Sequence, residues 1–270
     1  MVAAGLPDPA PWPGLPPRVT ICEVGPRDGL QNEATVVDTA VKVEFIERLV
    51  AAGHTVVEAT SFVHPKWVPQ LADAQQVLAK LDRQPGVRYP VLVPNATGLT
   101  RAIDAGAEEV AVFGSATETF ARRNLNRTVA ESLEMFAPVV AEAKERGLRV
   151  RGYLSMCFGD PWEGPVSRRQ VADVAGRLLA LGCDELSLGD TIGVATPGQV
   201  RELLGLLIAD GVELSRIAVH FHDTYGQALA NTLAALQTGV DLAALVQTSV
   251  WMADRLGRPS PSRVVRALAG

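Results

Sequence analysis

The sequence predicts an α/β fold, a (β/α)8 barrel of the TIM type that lacks its eighth βα unit. Three observations predict it. Strand-like and helix-like segments alternate in series at about 30 residues per unit, the pitch of a closed barrel of about 250 residues. Glycine-containing hinges follow the helices at Gly53, Gly106, Gly147, Gly182 and Gly239, where they fit helix C-caps before a returning strand. Polar side chains gather at the C-terminal end of nearly every strand, the face on which such a barrel collects its chemistry.

The first strand spans 19–24 and runs into Gly25-Pro26-Arg27-Asp28-Gly29, with a helix at 39–52 after it. The second unit is a strand at 55–60, with Glu58 and Ser61 at its end, and a helix at 69–81. The third joins a strand at 89–93, ending near Asn95, to a short helix at 98–105. In the fourth, a strand at 109–113 ends near Ser115 and Thr117, and a long helix at 128–146 carries Val129, Leu133, Phe136 and Val140 at helical spacing. The fifth has a strand at 149–156, ending at Cys157, and a helix at 167–181. The sixth has a strand at 185–188, leading to Asp190 and Thr191, and a helix at 197–210 with Val200, Leu203, Leu204 and Leu207 on one stripe. A seventh strand at 217–221 leads into a helix at 227–238. An open doubly wound sheet would carry a glycine-rich phosphate turn after its first strand and gather its polar groups at one switch point; neither pattern is present.

After Gly239-Val240 an eighth strand is due. Leu242, Leu245, Val246 and Leu256 are instead helix-spaced, so 241–255 reads as a helix, with Pro259 and Pro261 beyond it. The expected layout is a flexible tail at 1–17, an incomplete barrel at 18–240, and a C-terminal helix and tail at 241–270.

The 270 residues are 47% hydrophobic, enough for one large domain, and no apolar run approaches the ~20 residues of a membrane span. A net charge of −5 argues against nucleic acid as a partner, while leaving room for an anionic small molecule on a local basic patch. The three scattered cysteines make no disulfide framework and point to reduced thiols in the cytoplasm. The first 17 residues lack the basic start and apolar core of a signal peptide, and have no arginine to suit a transit peptide.

Chemistry concentrates at the strand ends. Alternation points His220 and His222 to one face, and two neutral imidazoles side by side are a natural pair of metal ligands. With one carboxylate oxygen from Asp28 and room for water, they suit a divalent ion such as Mg2+ or Mn2+ better than structural zinc. The plain alternatives are solvated strand-end histidines and a turn aspartate. Arg27 suits an enolate or carboxylate oxygen, or a surface ion pair. Glu58 suits holding Arg27 or moving protons, or a buried salt bridge. Asp190 and Thr191 fit either a site or a helix cap, with Gly189 and Gly193 beside them indicating close backbone approach. Arg122-Arg123-Asn124 forms a basic cluster in a loop, open to phosphates or to solvent. Cys22 and Cys183 read as buried fillers, and Cys157 is the candidate for a reactive thiol.

Four motifs carry a resemblance: Glu23-Val24-Gly25-Pro26-Arg27-Asp28-Gly29-Leu30-Gln31-Asn32-Glu33, Glu58-Ala59-Thr60-Ser61-Phe62-Val63, Ser187-Leu188-Gly189-Asp190-Thr191-Ile192-Gly193 and His220-Phe221-His222-Asp223-Thr224-Tyr225-Gly226. Over roughly 18–240 the chain resembles the hydroxymethylglutaryl-CoA lyases, within the metal-dependent barrel family that includes isopropylmalate and homocitrate synthases. The resemblance implies cleavage of hydroxymethylglutaryl-CoA to acetyl-CoA and acetoacetate, with a small-molecule acyl-CoA substrate. It implies Asp28, His220 and His222 as ligands of a Mg2+ or Mn2+ that engages the substrate hydroxyl, and Asp28 or His220 as the base. Arg27 then stabilises the enolate oxygen, and Glu58 acts beside it. Gln31, Ser61, Ser187, Asp190 and Thr191 complete the substrate-binding set. A homo-oligomer stays open.

The resemblance also implies an eighth strand, a loop with a catalytic cysteine in a Gly-Gly-Cys-Pro context, and an asparagine that completes the metal shell. Val240 runs straight into Asp241 without them, as an internal deletion of about 30 residues or more would leave it. Depressed activity is expected. Two other readings stay open: an impaired homologue that keeps metal or acyl-CoA binding, and a synthase joining an acyl-CoA to a 2-oxo acid.

Overall fold

A computed structural model describes residues 13–246. The first half contains strands β1 (Thr20–Glu23), β2 (Val56–Val57), β3 (Thr60–Ser61), β4 (Val91–Leu92) and β5 (Glu109–Ser115). Helices α1 (Thr39–Ala51), α2 (Ala74–Lys80), α3 (Ala96–Asp104), α4 (Glu118–Leu125) and α5 (Val129–Glu145) lie between and after them. The second half contains β6 (Arg149–Ser155), a small hairpin of β7 (Gly159–Asp160) and β8 (Gly164–Pro165), β9 (Glu185–Asp190), β10 (Ile217–His222) and β11 (Leu242–Val246). Helices α6 (Arg168–Ala180), α7 (Pro197–Ala209) and α8 (Ala228–Gln237) alternate with those strands.

The main sheet runs β2-β1-β11-β10-β9-β6-β5-β4-β3, and every described pairing in it is parallel. Its two ends, β2 and β3, are halves of one stretch of chain that breaks at Glu58-Ala59. At the break the strand changes partners: Glu58 N donates to Glu23 O (2.8 Å) and Ala59 N to Pro90 O (3.0 Å). The sheet therefore closes on itself as an eight-position barrel, with β2 and β3 sharing one position.

Two sequence expectations are corrected. The first is the missing eighth strand. Residues 242–246, read as the start of a helix, form β11 instead. It pairs with β1 through Thr20↔Leu242 and Ile21↔Ala243, and with β10 from Ala218↔Leu242 to His222↔Val246. An empty eighth position would leave two rows of unpaired backbone N–H and C=O groups, and a short apolar segment in extended form satisfies both. Periodicity over five apolar residues does not separate helix from strand. The barrel consequently runs past the expected boundary at 240, and the rest of the helix expected at 241–255 falls outside the described residues. The second correction concerns Arg122 and Arg123, which lie on helix α4 rather than in a loop.

The apolar core is a shell between sheet and helices. Val110, Val112, Val150 and Leu154 face Val139, Val140 and Leu178, all buried. The barrel interior is more polar. Near the N-terminal ends of the strands, Glu109 pairs with Arg88 (2.5 Å), and Glu185 pairs with Arg149 (3.1 Å) and with the wholly buried Arg151 (2.7 Å).

A proline at Ala244, opposite His220 in the register, removes a ladder donor in β11. Ala244→Pro is expected to lower the urea midpoint of unfolding; an unchanged midpoint would mean that 242–246 does not close the sheet.

Candidate active site

The first strand delivers two functional side chains through an unusual turn. After β1 the chain forms a single π-helical turn over Gly25–Gly29, in which Val24 O accepts from the N–H groups of Arg27 (3.1 Å), Asp28 (2.7 Å) and Gly29 (3.4 Å). The Glu23 carboxylate accepts from Gly25 N at 2.7 Å, and Pro26 presets the backbone at the turn's start. Arg27 and Asp28 then share the barrel mouth. Arg27 Nε donates to Glu58 Oε2 (2.7 Å) and its Nη1 to Asp28 Oδ1 (2.9 Å). Glu58 sits at the β2/β3 break and is fully buried. Burial disfavours the Arg27 cation, but Glu58 and Asp28 outweigh it and raise its pKa, so Arg27 stays charged.

Two positions along the sheet from β1, β10 places His220 and His222 on one face. Their rings stack with centroids 5.1 Å apart, and the two Nε2 atoms lie 3.2 Å from each other. His220 Nε2 is 3.9 Å from Asp28 Oδ2, and one donor atom from each of Asp28, His220 and His222 lies within 4.8 Å of the others. Desolvation lowers the pKa of both imidazoles, His220 to about 3, so both offer neutral lone pairs. Burial also opposes charge on Asp28, yet the Arg27 guanidinium, helped by both histidines, holds its pKa below the usual carboxylate value. This donor set fits a divalent ion. One carboxylate and two neutral imidazoles, with donor atoms within 4.8 Å of one another, form a hard-to-borderline ligand set that could hold such an ion.

The other expected site residues divide. Ser187 is buried on β9 and its hydroxyl finds no partner among the described residues. Gln31 is half-buried just past the π-turn. Ser61 is buried at the end of β3, and its Oγ accepts from Val63 N (3.2 Å). Asp190 and Thr191 brace backbone. The Asp190 carboxylate takes the N–H groups of Val194 (2.9 Å) and Ala195 (3.0 Å), while Thr191 Oγ1 accepts from Met156 N (2.9 Å), a residue at φ 60°. Gly193, at φ +70°, seats this loop against the one after β10. A Cβ there would lie 2.5 Å from Thr224 Oγ1 and 2.8 Å from His222 O. Cys157 is not a reactive thiol. It is buried, its Sγ–H donates to Leu154 O (3.0 Å), and desolvation pushes its pKa up. Cys22 and Cys183 are also buried, each pushed up to about 12.

Sequence reasoning missed Tyr153. It stands on β6 with Arg151 below and Arg27 above, and its buried hydroxyl has no partner among the described residues. Glu58 Oε1 and His220 Nδ1 are likewise buried and unpartnered. Such a cluster of unsatisfied atoms signals a missing ligand. A signal was present in the sequence: Arg149, Arg151, Tyr153 and Ser155 alternate with Val150, Gly152 and Leu154.

The depressed histidine pKa values set a pH dependence. Unfolded histidines titrate near 6.5, so between that pH and the folded values the unfolded chain binds more protons. Stability is then full above pH ~6.5 and falls on acidification, by up to about 1.4 kcal/mol per pH unit for each histidine. Asp28, with its folded pKa lowered, adds a further loss below about pH 4. Metal-free urea denaturation at pH 7, 6 and 5 should show this decline, and His220→Gln should make it shallower, leaving the part due to His222; a flat wild-type profile would contradict the buried neutral pair.

The chain matches the family model described as HMGL-like over residues 18–251. It is 53% identical over 228 residues to the mitochondrial hydroxymethylglutaryl-CoA lyase of Rattus norvegicus, covering 84% of this chain and 70% of the relative. Among solved structures, the hydroxymethylglutaryl-CoA lyase from Pseudomonas aeruginosa superposes with a TM-score of 0.85 at 40% identity, covering 95% of this chain and 99% of that one. An HMG-CoA lyase from Acinetobacter baumannii, in complex with coenzyme A and 3-methylmalate, superposes with a TM-score of 0.81 at 31% identity, covering 90% and 85% of the two chains.

Proposed function

The chain belongs to the HMGL-like family, and we propose that it is a carbon–carbon lyase that cleaves hydroxymethylglutaryl-CoA to acetyl-CoA and acetoacetate. The observation that carries this reading is the meeting of Asp28, His220 and His222 beside the buried Arg27–Glu58 pair at one barrel mouth. The chemistry needs a group that draws the proton from a tertiary hydroxyl and a cation at the oxygen that gains charge when the bond breaks. Both are present within one cluster.

A divalent ion, Mg2+ or Mn2+, held by Asp28, His220 and His222 would supply polarisation of the substrate's hydroxyl and of a carboxylate oxygen. Asp28 or neutral His220 takes the hydroxyl proton. The carbon–carbon bond next to the carbinol carbon then breaks. Its electron pair moves toward the thioester, and the carbinol becomes the ketone of acetoacetate. Arg27, fixed by Glu58, faces the oxygen of the departing enolate and stabilises its charge. Buried Ser187 and half-buried Gln31 offer polar contacts, while Asp190 and Thr191 hold the backbone at the end of β9. Three buried, reduced cysteines suit a reducing compartment such as the cytoplasm, and no described helix is long and apolar enough to cross a membrane.

One feature favours a weak version of this activity. The enolate carbon must receive a proton, the sequence has no cysteine after Cys183, and Cys22, Cys157 and Cys183 are buried with raised pKa values. Protonation then falls to solvent. A positioned donor is typically worth about 10²–10⁴ in rate, so turnover in an acetoacetate-release assay should lie at least about 100-fold below that of the Pseudomonas aeruginosa enzyme; equal turnover would overturn the reading of this chain as impaired.

Asp28→Asn should weaken Mn2+ binding by about tenfold or more in calorimetry and abolish residual acetoacetate release, and should lower the metal-free thermal midpoint because buried Arg27 loses one of its two carboxylates. Undiminished Mn2+ affinity would remove Asp28 from the ligand set.

A further inference from the structure

We propose that the Tyr153 hydroxyl is a second hydrogen-bond donor, beside Arg27, to the thioester oxygen of the acyl-CoA substrate; this rests on the lyase reading above. The ring is held on all sides. Arg27 Cζ lies 5.6 Å from its centroid and Arg151 Cζ 5.1 Å, so two guanidinium groups flank it. The His220 ring meets it edge-on at 6.1 Å and 83°. Leu92 and Ala111, inward residues of neighbouring strands, pack against it, as do Val63 and Phe113.

Amid this packing the hydroxyl is unmatched. Tyr153 is 7% exposed, and no acceptor reaches its oxygen among the described residues. Leaving a buried O–H unpaired costs about 1–3 kcal/mol, so a fixed ring with an orphan donor calls for an acceptor from outside the protein. The surroundings define that acceptor. Arg27 and Arg151 lie beside the ring, and the carboxylates of Glu58 and Asp28 hold Arg27 in place; a hydroxyl donor next to that fixed guanidinium suits an oxygen that gains negative charge. The oxygen of the acyl thioester gains charge on cleavage, and it is the one facing Arg27. The phenol keeps its proton throughout; it donates a hydrogen bond and transfers nothing. Arg151, wholly buried beneath the ring, is a positioning residue that holds the phenol at the level of Arg27.

Tyr153→Phe removes one oxygen and leaves the ring between its cations. The test is calorimetry on the full chain with Mn2+, using two ligands that are not cleaved: glutaryl-CoA, and its thioether analogue in which CH2 replaces the thioester carbonyl. The variant should bind glutaryl-CoA at least about fivefold more weakly, bind the thioether as the wild type does, and keep the same Mn2+ affinity. Its ligand-free thermal midpoint should equal or exceed that of the wild type, because an unsatisfied group has been deleted. Equal affinity of variant and wild type for glutaryl-CoA, or equal weakening for both ligands, overturns the assignment. A lowered ligand-free midpoint also overturns it, since the hydroxyl then has a structural partner. If the wild type binds neither ligand while Mn2+ still binds, the acyl-CoA reading fails, and the role of Tyr153 fails with it.

Discussion

Closure of the parallel sheet around β1 is the constraint on which the rest depends. β1 is four residues long and has β2 on one side and β11 on the other. Its C-terminal end delivers Arg27 and Asp28, while β10, two positions away, delivers His220 and His222. Only a closed sheet brings these together with Glu58, because Glu58 stands where the second strand breaks in order to bond β1 through one half and β4 through the other. The same break that closes the barrel frees the carboxylate that fixes Arg27.

The interior of this barrel is organised by charge as much as by apolar packing. Near the N-terminal ends of the strands, Arg88, Arg149 and Arg151 meet Glu109 and Glu185. At the opposite mouth, Arg27 meets Glu58 and Asp28. Burying ions is expensive, and removing one partner from such a pair costs about 3–5 kcal/mol. Tyr153 links the two layers, with the Arg27 and Arg151 guanidinium groups 5.6 and 5.1 Å from its ring centroid. The lower layer holds the strands together through ion pairs, although nitrogens of Arg149 and Arg151 and one Glu185 oxygen make no hydrogen bond among the described residues. The upper layer also carries unpartnered atoms, on Glu58, Tyr153, Ser187 and His220. What sets the upper end apart is that its unpartnered atoms lie beside the Asp28, His220 and His222 donor set.

The electrostatic state of the mouth follows from the same burial. Water exclusion keeps both histidines neutral, which preserves their lone pairs; it opposes charge on Asp28, whose carboxylate stays anionic chiefly because Arg27 lies beside it. Arg27 in turn remains a cation because two carboxylates surround it. Arg27 thus depends on Asp28, its neighbour in the same turn, and on Glu58 from the second strand. Oriented charges in a low-dielectric site act more strongly than in water and need no rearrangement when charge develops.

Much of this was legible in the sequence. The repeating strand–helix–glycine pattern specified seven parallel units, since period and hinge are local properties. The pairing of Asp28 with His220 and His222 could be inferred because strand alternation fixes which side chains share a face, and strand ends in a barrel share one mouth. Other features answer to contacts that no local pattern encodes. Leu242–Val246 became a strand because two open sheet edges competed for it, overriding a helical spacing. Thr191 was read as a substrate group or a cap residue, and its hydroxyl accepts from the backbone N–H of Met156, just past the end of β6. Tyr153 was passed over because alternation along β6 shows only that it shares a face with Arg151, while Arg27 reaches the same ring from the turn after β1. Sequence alone determined which residues carry chemistry and in what order. Tertiary structure decided which of their atoms are already satisfied and which remain free, because hydrogen-bond partners and desolvation arise only when distant segments meet.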